Sequence, residues 1–358
     1  MTDAPLLQRW PEPTRPRPIV LIGAGGIVRD AHLPAYRAAG LPLQGVFDPD
    51  RDRATALARD FGISAVYGSL QEALAAPGEP VFDLALPPQA VLETVRALPH
   101  GAAALIQKPL GTDLAEATAI RAAVRERRLA AAVNFQLRFA PNMLALHDAI
   151  ARGTLGELLE LDVRINCRMP WERWPFLRGM PRLEILMHSI HYVDLLRRLA
   201  GEARAVQARC VAHPAAHGLS ATRTSAIIDF GPQLRCTLSV NHHHAHGPRH
   251  EASELRAEGT RGAAVAVMGV NLDYPRGRPD RLELAHDGTW ADVPLAGNWF
   301  PDAFRGPMCN LQRFVAGEDA ALVSSVDDAW QTMRLVEALY AADAAGGHPL
   351  PADPERVP

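Results

Sequence analysis

Residues 184–194 read EILMHSIHYVD: two histidines, two carboxylates and a tyrosine set among aliphatic side chains. On a helix, Glu184, His188 and His191 stand at i, i+4 and i+7 and share one stripe, with Asp194 one turn further at its edge. Three chemistries suit that stripe. Imidazole nitrogens and a carboxylate at this spacing can hold a transition metal. They can also be hydrogen-bonded core histidines, or they can face a substrate and move a proton. The segment alone does not choose, so the choice falls to whatever the other elements bring alongside it.

The chain offers 358 residues, more than one ordinary core needs, so two domains are expected. Hydrophobic residues make up 48% and charged ones 22%, which fits a water-soluble globular protein and not a disordered one. A net charge of -3 gives no global attraction for nucleic acid or an anionic membrane, so neither is expected as a partner. Cys167, Cys210, Cys236 and Cys309 are dispersed with no CxxC pair, the pattern of reduced thiols. The N-terminus shows no basic stretch followed by an apolar run, and no segment has the length to span a bilayer; the expectation is a cytoplasmic protein.

Residues 1–17 are proline-rich and read as an irregular arm. From residue 18 the texture alternates. Short apolar runs (PIVLIG, LQGVFD, PVFDLAL, AALIQ, LAAAVNF) are separated by stretches with helical periodicity, most of them closed by glycine. That alternation implies an α/β fold with a doubly wound parallel sheet, here over residues 18–140. After residue 140 a helix is followed by period-two runs at 157–168, 203–213, 220–231 and 234–246, with a helix around 182–200 between them. These imply that residues 141–358 form an α/β domain with an open, mostly antiparallel sheet.

The first loop of the parallel part carries the next chemistry. In LIGAGGIVRDAHLPA, Gly23 and Gly25, followed by Gly26 and Ile27, lie between a strand and a helix. The first glycine allows the tight turn, the second lets backbone N–H groups approach a pyrophosphate, and the helix start adds partial positive charge. Val28 occupies the place of the usual third glycine. Asp48 closes the second strand, where a carboxylate binds a ribose 2′-OH and repels a 2′-phosphate. The pattern implies dinucleotide binding and favours NAD, although Arg51 and Arg53 stand close enough to answer the phosphate of NADP.

Lys108, in LIQKPLG, leaves the end of a strand, and strand ends of this kind of sheet line the ligand crevice. The ordered set GAGGI…HLPA, VFDPD, LALPP, QKPLG, NFQLRFAP and HYVDLLRRLAG resembles the glucose–fructose oxidoreductase / inositol dehydrogenase / rhizopine-catabolism (Gfo/Idh/MocA) family over roughly residues 18 to 343. That resemblance implies a Rossmann domain, then an α/β domain whose open sheet makes homodimer or homotetramer contacts. It also implies NAD(P)-dependent oxidation or reduction of a carbinol on a sugar, sugar acid or polyol. Pro87, Gln107 and Lys108 fall on cofactor-side positions. The lysine of the family's EKP falls on Lys108 and the histidine of its HxxD on His191, and these hold the reacting hydroxyl and manage its proton. Arg138 falls near the pocket.

The chain departs from the family at Gln107, where glutamate is usual, at Met187, where many members carry a catalytic aspartate, and at Val91, where histidine is common. With the family correspondence, the stripe reads as a proton-transfer face, not a metal site. His191 takes the hydroxyl proton, Lys108 stabilises the alkoxide, and His188, or Glu184 acting through it, supplies the charge that the aspartate would have brought. Losing the glutamate beside Lys108 should disfavour its ammonium form and let it share the base role. Two rival readings fit the departures: an NAD-retaining lyase or glycosidase that uses transient oxidation, and a silent NAD-binding protein. Trp174 and Trp299, in aromatic-rich segments, are candidate pocket walls. In NHHHAHGPRH, which holds five of the fourteen histidines, a strand would put His242, His244 and His246 on one face. That face is read here as a polar sheet surface or subunit contact, with no metal.

Overall fold

The computed structural model describes residues 4–347 apart from Pro275, so the ends of the arm and of the last expected domain, 1–3 and 348–358, lie outside the described residues. Six strands form a parallel sheet: β1 (Ile19–Ile22), β2 (Leu43–Phe47), β3 (Ala65–Val66), β4 (Val81–Leu84), β5 (Ala103–Ile106) and β6 (Ala130–Val133). Their order is β3-β2-β1-β4-β5-β6, and every pairing is parallel. β1, β4 and β5 are buried at every residue, as strands covered on both faces must be, which is why β1 and β5 read as unbroken apolar runs and β4 departs from one only at Asp83. The connecting helices are α1 (Leu33–Ala38), α2 (Arg51–Phe61), α3 (Leu70–Leu74), α4 (Pro88–Ala97) and α5 (Leu114–Glu126). Asp50, Ser69 and Asp113 start α2, α3 and α5 by accepting backbone N–H groups of Arg53, Glu72 and Glu116.

The rest of the chain begins with α6 (Pro141–Ala151) and β7 (Leu158–Asn166). A π-turn over Ile185–Ser189 then leads into α7 (Ile190–Ala200). β8 (Ala205–Val211), β9 (Arg223–Asp229), β10 (Arg235–Asn241), β11 (Ala252–Gly259), β12 (Gly262–Val267), β13 (Arg281–His286) and β14 (Thr289–Asp292) complete an eight-stranded sheet ordered β14-β13-β12-β11-β7-β10-β9-β8. Only β7 and β10 run parallel; the other neighbours are antiparallel. Burial alternates along these strands. In β10, Cys236, Leu238 and Val240 face inward, while Arg235 and Ser239 face solvent.

Two late helices tie the halves together. α8 (Arg305–Val315) returns to the first sheet, where Phe304, Met308, Cys309 and Leu311 share a core with Val28, Leu33 and Tyr36. α9 (Val326–Ala345) packs on α5, α7 and β8. The described residues of the arm, 4–17, contain neither helix nor strand, yet they are anchored: the Trp10 indole donates to Asp319 at 2.7 Å and sits edge-on to Phe139, and the Leu7 N–H donates to Asp148 at 2.8 Å.

Candidate active site

The glycine turn at the end of β1 is required by its surroundings. Gly23 has a φ of +111°, and a Cβ there would lie 2.4 Å from the Ala85 carbonyl oxygen. A Cβ on Gly25 or Gly26 would meet nothing within 4 Å, so the loop backbone opens onto free space, where a pyrophosphate needs bare N–H groups. Asp48 fixes this loop. Its two oxygens accept the Ala24 and Asp50 N–H groups, each at 2.8 Å, while the Arg53 guanidinium stands 3.6 Å away. Beneath the loop, the buried His32 donates through Nδ1 to Asp83 at 2.7 Å. Tyr36 donates to the same oxygen at 2.8 Å, and the Asn134 amide donates to His32 Nε2 at 3.3 Å. Val28 is buried in the core, and a π-turn spans Val28–His32.

At the end of β5, the Gln107 side-chain oxygen Oε1 accepts the Lys108 backbone N–H at 3.1 Å. The Lys108 amine reaches across to the other half of the molecule and donates to the Met187 carbonyl at 2.7 Å, one turn before His191. Burial pushes its pKa down to about 8, and no carboxylate contributes to that shift. Burial also drives both imidazoles well below their usual range. The neighbouring basic groups add to this: His242, then Lys108 and His191, disfavour a charge on His188, and Lys108 disfavours one on His191. Lys108, His188 and His191 therefore share one electrostatic neighbourhood. The His191 ring is edge-on to Trp299 with centroids 5.6 Å apart, and its Nδ1 is buried without a hydrogen-bond partner. His188 meets Trp171 at 4.9 Å and Trp174 at 6.0 Å; Trp174 continues to Tyr274 at 5.3 Å.

Comparison with known proteins identifies this arrangement. Residues 17–135 match the oxidoreductase family with an NAD-binding Rossmann fold named GFO_IDH_MocA, and residues 143–265 match a GFO/IDH/MocA C-terminal domain. The chain belongs to the Gfo/Idh/MocA oxidoreductases. Among its curated Gfo/Idh/MocA relatives, D-apiose dehydrogenase of Paraburkholderia graminis is 27% identical and covers 91% of this chain and 87% of its own. The 1,5-anhydro-D-fructose reductase of Ensifer adhaerens is 26% identical over 68% of this chain and 74% of its own. A crystal structure of an oxidoreductase from Agrobacterium radiobacter with NAD+, L-tartaric acid and magnesium superposes with a TM-score of 0.79 at 19% identity, covering 93% and 98% of the two chains. The Gfo/Idh/MocA chain is thus an NAD-binding oxidoreductase of a family acting on sugars and polyols. Among the described residues, no helix is long and apolar enough to cross a membrane.

Several expectations need correcting against this Gfo/Idh/MocA structure. The stripe of Glu184, His188 and His191 does not form, because the π-turn inserts an extra residue and rotates what precedes it. Glu184 turns away from His188 and packs against the second sheet, where its oxygens accept the Ser189 and Thr224 hydroxyls and stand 3.4 Å from His242 Nε2. Arg138 faces no pocket. Its side chain is 2% exposed; it donates to Asp194 at 2.5 and 2.6 Å and to the Val323 carbonyl at 2.8 Å, and it stands at an ion-pair distance of 2.6 Å from Asp328. Asp194 is thereby spent on this ion pair and on Thr332. His242, His244 and His246 share no strand face, because β10 ends at Asn241. His242 turns inward while His244 and His246 stay near the surface, their rings 5.7 Å apart. Among the described residues, no group of three or more metal-ligating side chains converges. Pro87 is exposed at the start of α4, and Val91 is fully buried in the core.

Trp171, Tyr274 and His242 were not anticipated as neighbours of the site. A signal for His242 exists: the inward series Cys236, Leu238, Val240 continues at a spacing of two to residue 242. Tyr274 sits in a turn and Trp171 opens a single 3-10 turn over Trp171–Arg173, both too short for periodicity to tell which way a side chain faces.

Proposed function

We propose that this protein is a dehydrogenase that passes a hydride between NAD and a carbinol of a sugar, sugar acid or polyol. The observation that carries the reading is the Lys108 amine, delivered from the first sheet onto the Met187 carbonyl beside His191. The Gly23–Gly25 turn and Asp48 would hold the dinucleotide, with Pro87 and Gln107 along its path, and the bare outer side of the loop fits that role. Bound NAD+ supplies the hydride acceptor. Trp171, Trp174, Tyr274 and Trp299 supply apolar walls suited to the C–H faces of a carbohydrate.

The chain's own residues manage the proton. As the carbinol C–H bond breaks with its electron pair, the O–H bond must break too, and the carbonyl forms. The family resemblance favours His191 as the base, but an imidazole held far below its usual pKa is a poor proton sink. Lys108, near 8, is better matched to neutral or mildly alkaline conditions. The proton is therefore assigned to Lys108 Nζ, and His191 orients the hydroxyl through its unpartnered Nδ1. The open outer face of the eight-stranded sheet is proposed to carry the homo-oligomer contact, and sedimentation of Ile227→Glu, which puts a charge on a side chain 53% exposed there, tests it. The function is tested by screening sugars, sugar acids and polyols for NADH formation. Net NADH from excess NAD supports a dehydrogenase. Turnover without net NADH points to the lyase or glycosidase chemistry, and NAD binding without turnover to a silent protein.

A further inference from the structure

Behind His188 lies a buried charge pair that the mechanism above does not use. Glu184 and His242 are each 1% exposed and stand 3.4 Å apart, an ion-pair distance and not an aligned hydrogen bond. Both carboxylate oxygens of Glu184 are held by hydroxyls, Ser189 on one and Thr224 on the other. His242 Nδ1 faces Cys167 Sγ at 3.7 Å. Its ring lies 5.1 Å from that of His188 and 6.1 Å from that of Trp171. A buried ion pair is costly to desolvate, and an apolar pair of similar volume is often at least as stable. The preceding inward positions of β10, Cys236, Leu238 and Val240, are all apolar.

We propose that Glu184 and His242 are a positioning pair that acts through His188, placing a fixed cation behind its ring so that the imidazole meets the substrate as a neutral acceptor. The inference rests on the dehydrogenase reading for the identity of the substrate, not for the pair itself. Burial opposes charge on His242, but its contacts with Cys167 and Glu184 outweigh burial and hold the imidazole up to about 9. The groups facing His188 are all basic: His242 from the end of β10, Lys108 from the end of β5 and His191 from its own helix, with Trp171 and Trp174 closing the other sides. Glu184 is faced by His242, Ser189 and Thr224, and its charge reaches Tyr192, Tyr340 and Cys210. The carboxylate thus acts on His188 only through the ring between them.

The test is an NMR titration of the His188 imidazole in the full-length, NAD-saturated protein, with the H188Q spectrum identifying the signal. In E184Q/H242Q, which removes both charges together, the ring should accept a proton at least about one pH unit higher than in the native protein. E184Q alone, which leaves the sheet contact intact, should shift it in the same direction by less. With an oxidisable carbinol, the ratio of double-variant to native kcat should fall toward acid pH, as the raised His188 becomes protonated, and return to one near pH 9, with KM for NAD unchanged. If both variants fold and the His188 titration does not move, the pair is only structural and the proposal is overturned. The titration needs no turnover, so a shifted His188 in a protein that oxidises no carbinol upholds the pair while defeating the dehydrogenase reading.

Discussion

Two buried histidine–carboxylate pairs sit in the two halves of this molecule, and they are built differently. His32 and Asp83, under the glycine loop, meet at 2.7 Å with Tyr36 and Asn134 completing the bonds. His242 and Glu184, behind the candidate active site, stand 3.4 Å apart, and the carboxylate is held by hydroxyls, not by its imidazole. The first pair is a short, aligned hydrogen bond reinforced by Tyr36 and Asn134, and it fixes helix against strand. The second leaves the face of its ring 5.1 Å from His188, so its charge is felt at the site. The same two residue types thus serve framework in one place and electrostatics in the other, and alignment of the hydrogen bond distinguishes them.

The comparison breaks first on stability. Asp83→Ala should strip the first pair and leave His32 without its partner, costing about 3–5 kcal/mol in denaturant unfolding. A cost under about 1 kcal/mol would show that the network is not framework. Arg138→Lys sharpens the same point for a residue expected at the pocket. It loses the paired contact with Asp194, so the melting temperature should fall by several degrees while KM for the carbinol stays within about twofold; a large KM change would return Arg138 to the substrate. Asp48→Asn should weaken NAD about tenfold and narrow the gap to NADP, because it removes the charge that repels a 2′-phosphate. Isothermal titration with both dinucleotides reads this, and an unchanged NAD:NADP ratio would sink the role given to Asp48. Smallest of all, His244→Ala and His246→Ala, near the surface in the same histidine run as His242, should stay within about 0.5 kcal/mol and leave kcat untouched.

The first half of the molecule was legible because its signals are local. The buried strands, the glycine turn and Asp48 are read from residues adjacent in sequence, and Lys108 follows from its place at a strand end. The eight-stranded sheet was legible as alternation in β7 through β10. The histidine region was not, since a stripe at i, i+4 and i+7 assumes 3.6 residues per turn and the π-turn over Ile185–Ser189 breaks that count. Nothing in ILMHS marks such a turn in advance. Arg138 looks like a pocket residue until Asp194 and Asp328, 56 and 190 positions away, are folded against it. α8 joins the first core through Phe304 and Met308, a contact that no window of neighbouring residues contains.

The base assignment is the claim on which the rest turns, and the pH dependence of kcat/KM tests it most directly, measured with the best carbinol from the panel for the native protein and Lys108→Met. The amine must be unprotonated to accept the hydroxyl proton, so native kcat/KM for oxidation should rise tenfold per pH unit and level off above about 8. Lys108→Met should lose about a thousandfold and show no such limb. A Lys108→Met protein that oxidises the carbinol at the native rate, or that keeps the same rising limb, would contradict it.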